Sequence, residues 1–267
     1  MVISTLHRLT AEDLRYIVTT LYPGADPHRV AARLRDDDQA LERHLEDERL
    51  LRRILGESDI LIHISPWLLF GVLLRHVRRV LLAVPYTIEE ALGERVPVFD
   101  AVRAGELLAD RDILDYLVLM LVSFTRTETW AIEVEQEGRR RWRRFSDLDS
   151  DDMIALAGIM PEALRFPILR RIGDIALFTS GIFPEAVDRR AGGGGGARAA
   201  RKTLEEYEEE GRLFYRLAAQ HEVARRTGWD RPLEALAETF PIARKPLNVL
   251  ASQYIRTSRL ELFGEFG

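Results

Sequence analysis

Guanidinium groups crowd around a single indole in the stretch Glu133–Asp149, EVEQEGRRRWRRFSDLD. The planar fork of arginine matches phosphate and carboxylate geometry, so Arg139, Arg141, Trp142 and Arg143 are candidate contacts to a phosphate or an acidic partner. The lead-in dictates how they are presented. Trp130, Ile132 and Val134 alternate with Ala131, Glu133 and Glu135, the period of two that marks a half-buried strand. A turn at Glu137 and Gly138 then sets Glu135 opposite Arg140, Glu133 opposite Trp142, Val134 opposite Arg141 and Trp130 opposite Phe145. One face carries the aromatic ends, and on the other at least one arginine is answered by a carboxylate. The first reading is therefore a structural hairpin, and the second a phosphate or acidic-partner contact. A winged helix would need a polar, basic recognition helix just before the hairpin, whereas DILDYLVLMLVSFT belongs in a core.

Other polar groups offer weaker chemistry. Asp174 in RRIGDIALF is a carboxylate bordered by apolar residues, either a buried acid in a ligand cavity or an ion-pair partner of Arg170 or Arg171 one turn back; the ion pair is preferred. Tyr207, Phe214, Tyr215 and His221 form an aromatic stripe on one helix, and His76 flanks the most apolar stretch. If a pocket exists, Asp174, His76, Tyr207 and Tyr215 are its polar lining. The run AGGGGGARAARK lacks the Lys and Ser or Thr that must follow the last glycine of a phosphate loop, and reads as a flexible linker at 191–197. The acidic run from Asp147 puts Asp152 and Gly158 where a calcium loop needs Gly and Glu, so it is a capped helix start. No histidine has a Glu three residues before it, and GxSxG, SxxK, GxGxxG and HExxH are all missing. Hence no catalytic residue, cofactor or metal is expected.

A chain of 267 residues with 46% hydrophobic content can bury a substantial core. The net charge of −5 does not match a phosphate backbone. Nearly all positive charge is Arg, with lysine only at Lys202 and Lys245, and this usage alongside abundant Ala and Gly weakens any arginine cluster as a sign of nucleic acid. The absence of Cys and the single Asn248 fit a reducing cytoplasm and a thermophile-like composition. ILIHISPWLLFGVLL, Ile60 to Leu74, is too short to span a membrane.

Capping residues then lay out the helices. Thr10 with Asp13, Asp26 before Pro27 and Ser65 before Pro66 start helices near 11–21, 27–35 and 66–83. One amphipathic helix is expected from Asp38 to Leu55, a short one from Thr87 to Gly93, a buried one from Asp112 to Thr125 and one within 162–183. Further helices are expected at 198–226, from Asp230, and after Pro246. Gly173, Gly181 and Gly211 are candidate points of close helix approach. The expected fold is all-α, a multi-helix bundle-like domain with one inserted β-hairpin at about 128–145. Residues 1–190 form its main part, 191–197 a loop, and 198–267 C-terminal helices packed on the rest. The expected function is non-enzymatic binding of a macromolecular partner, protein (including self-association) before nucleic acid, with no membrane. A small-molecule-binding or enzymatic helical fold is the alternative.

Overall fold

The structure, a computed structural model, describes residues 4–57, 59–91, 94–126, 129–136, 139–184, 187, 202–256 and 258–264, with side chains left aside at 87–98, 134–139, 141, 259 and 260. The loop at 191–197 and the start of the helix expected at 198 lie outside these residues.

The chain is a helical bundle with the hairpin inserted. Its first half runs α1 (Ala11–Leu21), α2 (Pro27–Leu34), α3 (Asp38–Leu45), α4 (Glu48–Gly56), α5 (Pro66–Ala83), β1 (Thr87–Ala91), β2 (Glu94–Val98), α6 (Ala101–Leu107) and α7 (Arg111–Phe124). The second half runs β3 (Thr129–Gln136), β4 (Arg139–Ser146), α8 (Ser150–Ile159), α9 (Phe166–Ile182), α10 (Leu204–Gln220), α11 (Glu222–Thr227), α12 (Asp230–Glu238), α13 (Phe240–Val249) and α14 (Arg259–Phe263). One continuous apolar cluster extends from Leu6 to Phe263. Within it α10 lies along α9 and α12, α5 packs on α6 and α7, and α13 rests on α9 and α6.

The caps start the helices where local chemistry demands. Thr10 and Asp13 satisfy each other's backbone N–H groups. Asp13 is fully buried because its carboxylate also accepts from the backbone N–H and hydroxyl of Ser65, at 2.8 and 2.7 Å, which fastens the start of α1 to the start of α5. Asp149 accepts from the N–H groups of Asp151 and Asp152, so the acidic run is a capped helix start as expected. Helix contacts need glycine where they are closest: a Cβ on Gly173 would meet the Tyr215 ring at 2.6 Å, and one on Gly181 would meet Leu247 at 2.6 Å.

Several expectations are corrected. Residues 87–93 do not form a helix; Thr87–Ala91 pairs antiparallel with Glu94–Val98, Thr87 opposite Val98 and Ile88 opposite Pro97. Thr87, Ile88, Val96 and Val98 favour the extended chain, and a two-stranded ribbon tolerates Pro97 because each strand has a free edge. The helix expected over 38–55 is two, since the Asp47 side chain accepts from Arg49 N–H and opens α4. The break shifts the buried set to Leu41, Leu45, Leu50 and Ile54, leaving Leu55 exposed. The helix expected within 162–183 is α9, Phe166–Ile182, which follows a separate 3-10 turn at Glu162–Leu164. The long helix expected to reach 226 ends at Gln220, where the His221 ring accepts from Val223 N–H and starts α11. Pro246 lies inside α13 rather than before the helix expected to follow it. Phe240, Ala243, Leu247 and Leu250 are buried at helical spacing, and their packing outweighs the lost backbone bond; the chain then loosens into a π turn at Leu250–Tyr254.

Candidate functional site

The β3–β4 hairpin has the register that alternation dictates: Glu135 faces Arg140, Glu133 faces Trp142, Val134 faces Arg141 and Trp130 faces Phe145. Its two faces differ in kind. Phe145 is fully buried, Ile132 half-buried, and Arg143 lies over the Phe145 ring at 4.7 Å while reaching toward Asp152 of α8 at 3.9 Å. This face packs on the body. At the hairpin's base Arg171 of α9 stacks on Phe124 at 3.7 Å and donates to the Asp147 backbone carbonyl and carboxylate and to the Ser123 hydroxyl. The ribbon therefore leaves the bundle from a pinned root.

The opposite face looks outward. Trp142 is 72% exposed, and Arg140 and Arg144 flank it two residues away on the same strand and the same side. Two strand residues span about 6.8 Å, so the indole stands with a guanidinium on each flank. Arg140 is 3.6 Å from Glu133, and Arg144 stands opposite Ala131. Of the four residues singled out from the sequence, only Trp142 is shown on this outward face. Arg143 turns toward α8, and the side chains of Arg139 and Arg141 lie outside the described residues. Arg140 and Arg144 were missed, although the period of two already put them beside Trp142.

The polar set around Asp174 is brought together only in part. Asp174 Oδ1 accepts from the Tyr116 hydroxyl at 2.5 Å and the Tyr215 hydroxyl at 3.0 Å, while Arg170, one turn back, lies 3.7 Å from Oδ2. Tyr116 and Tyr215 meet edge to face, and Trp229 closes against Tyr116. Burial raises the Asp174 pKa, with Arg170 and the hydrogen bond from Tyr116 opposing. The group is a closed knot joining α7, α9 and α10. Tyr116, 58 residues from Asp174, had no local signal in the sequence. Tyr207 is buried on α10 two turns before Tyr215.

His76 sits apart from that knot, on the side of α5 where Arg79 donates to its Nδ1 at 2.9 Å. Burial, then Arg79, lowers its pKa from 6.5 to about 4. Between these values the unfolded chain takes up a proton that the native state refuses, so the stability from this group is full above pH 6.5 and lost as pH falls through about 4. In urea titrations across this range, His76→Gln should lose stability less steeply than the parent on acidification. Equal slopes would show that His76 is not held neutral by the fold.

Among the described residues no helix is long and apolar enough to cross a membrane, and no three His, Asp or Glu side chains are grouped to hold a metal ion. No family model, curated protein or solved structure matches the chain. The functional reading therefore rests on its own residues.

Proposed function

We propose that this chain acts without catalysis, by binding an acidic surface of a protein partner through the outward face of the β3–β4 hairpin. The observation that carries the reading is Trp142, 72% exposed between Arg140 and Arg144 on a ribbon with a pinned root. Trp and Arg are the residue types that dominate interface energetics, and an indole left in water with cations on both sides has its binding energy still to gain. Protein is favoured over nucleic acid because affinity for a phosphate backbone grows with the number of phosphates neutralised, and with Glu133 already offsetting part of Arg140 this face has few cations to spare, whereas an interface centred on one indole needs few.

The test is crosslinking and co-purification from the native host, followed by titration of the identified partner against the parent, Trp142→Ala, and an Arg140→Ala, Arg144→Ala double variant. Loss of a hot-spot residue costs about 2 kcal/mol or more, so Trp142→Ala should weaken binding about 30-fold while circular dichroism stays unchanged. Undiminished binding in both variants would remove the hairpin from the interface. Sub-micromolar binding of oligonucleotides, with a log–log salt slope that drops when the two arginines are removed, would replace the protein partner with nucleic acid.

A further inference from the structure

Away from the hairpin, the end of α1, the end of α3 and the start of α4 meet around Tyr22. Pro23 and Gly24, the latter at φ 93°, turn the chain sharply after α1, and Ala25 N–H closes the turn on the Tyr22 carbonyl at 3.0 Å. The phenol leaves the end of α1 toward the last turn of α3, where its hydroxyl lies 2.7 Å from His44 Nε2. His44 is itself held, because its Nδ1 bonds the Ala40 carbonyl one turn back. A carbonyl can only accept, so in the neutral ring Nδ1 carries the hydrogen and Nε2 presents a lone pair, to which the Tyr22 hydroxyl donates.

A hydroxyl resting on a base that a third group orients is the arrangement by which weak nucleophiles are activated. The other tyrosines are placed differently. Tyr16, Tyr116, Tyr207 and Tyr215 are buried and Tyr254 is partly buried, which leaves Tyr22 and Tyr86, 43% and 44% exposed, as the two phenols open to a reagent. Tyr86 meets the Phe99 ring and, among the described residues, no base. The chain therefore carries two equally exposed phenols of which one has a histidine against its hydroxyl.

The start of α4 supplies further donors. Arg49, in its first turn, donates through Nε and Nη2 to Asp47 at 3.1 and 2.8 Å and through Nη1 to the Leu21 carbonyl at 3.3 Å. A guanidinium has five N–H donors, so two remain, on an exposed side chain near enough to Tyr22 to attract a phenolate there. They suit an electrophile whose own oxygens are strong acceptors, as those of a phosphoryl group are. We propose that Tyr22 is a covalent acceptor of phosphoryl-type groups from activated phosphates, with His44 as its general base. The phenolic oxygen bonds to phosphorus and its proton passes to His44 Nε2. The bond from phosphorus to the leaving group breaks, and the leaving group departs with the electron pair. One group is accepted per chain, so the transfer is a modification rather than turnover and does not depend on what the hairpin binds.

The full chain is incubated at neutral pH with an alkyl fluorophosphonate, a phosphorus electrophile that loses fluoride, and labelling of each tyrosine is followed by peptide mass spectrometry. Tyr22 should react at least about tenfold faster than Tyr86, a conservative share of the ~10²–10⁴ that a positioned base supplies. His44→Gln separates chemistry from clasping, since the amide oxygen still accepts from the phenol but cannot take up its proton. In that variant Tyr22 should fall to the rate of Tyr86 while the unfolding midpoint stays near the parent's. Arg49→Ala should slow Tyr22 and leave Tyr86 unchanged. A Tyr22 advantage below about tenfold, adducts on His44 in place of Tyr22, or a Tyr22 rate undiminished by His44→Gln or by Arg49→Ala would each overturn the proposal.

Discussion

Asp174→Ala is expected to lower the free energy of unfolding by about 3–5 kcal/mol, the range for removing one partner of a buried ion pair. The carboxylate is only 2% exposed and is the acceptor that both Tyr116 and Tyr215 share. Removing it strands two buried hydroxyls and leaves Arg170 without its partner, each an added desolvation cost. Asp174→Asn is the informative companion. Its amide oxygen still accepts from the tyrosines, but it has no proton to lose. Because burial raises the pKa of Asp174 above the ordinary 3.8, the native state binds more protons than the unfolded chain from about pH 3.8 up to the raised value. The stability from this group is full below 3.8 and is lost as pH rises through the folded value. The buried Asp115, also raised by desolvation, contributes in the same direction, and His76 in the opposite one. The decisive quantity is therefore the difference between Asp174→Asn and the parent: that difference should grow in favour of the variant as pH rises. A constant difference would mean that Asp174 is ionised without penalty and that the knot is wetter than its geometry shows.

What could be read beforehand, and what could not, follows the range of the forces involved. Thr10, Asp26, Ser65 and Asp149 act on N–H groups two or three residues away, so the helix starts they set were legible from neighbouring residues. The hairpin register was legible for the same reason, because alternation is local. The Arg170 partner of Asp174 is one turn away and was also legible; Tyr116 and Tyr215 reach it from other helices and were not. Thr87 misled because a Ser or Thr followed three residues later by Glu fits a capping box, while the strand preference of the residues around it decides the outcome. Pro246 misled in the opposite sense: its local rule was overruled by buried neighbours at helical spacing. On the hairpin, arginines crowd around Trp142 in sequence, and crowding in sequence mixes the two faces of a strand, so Arg143 turns inward while Arg140 and Arg144 flank the indole.

Gly211 tests the tertiary half of that account. It sits on α10 where α13 crosses, and a Cβ added there would lie 2.0 Å from Cε2 and 2.4 Å from Cζ of Phe240. In an open helix Gly→Ala gains about 1 kcal/mol. Here the new methyl would stand far inside the ~3.5–4.0 Å optimum for carbon contacts. Phe240 is fully buried and meets the Tyr215 ring at 6.1 Å, so its ring has no free space to swing into. Overpacking costs about 1–3 kcal/mol and at times more, and an overlap this deep belongs at the top of that range. Gly211→Ala should therefore lose about 3 kcal/mol net. Gly158 on α8 supplies the control, since nothing lies within 4 Å of its added Cβ and Gly158→Ala should gain up to about 1 kcal/mol. In urea titrations the two midpoints should move in opposite directions at unchanged slope. A double variant adding Phe240→Leu should be more stable than the sum of its single losses, because the smaller side chain leaves room for the methyl. If Gly211→Ala instead matches Gly158→Ala, α13 does not cross α10 at this glycine.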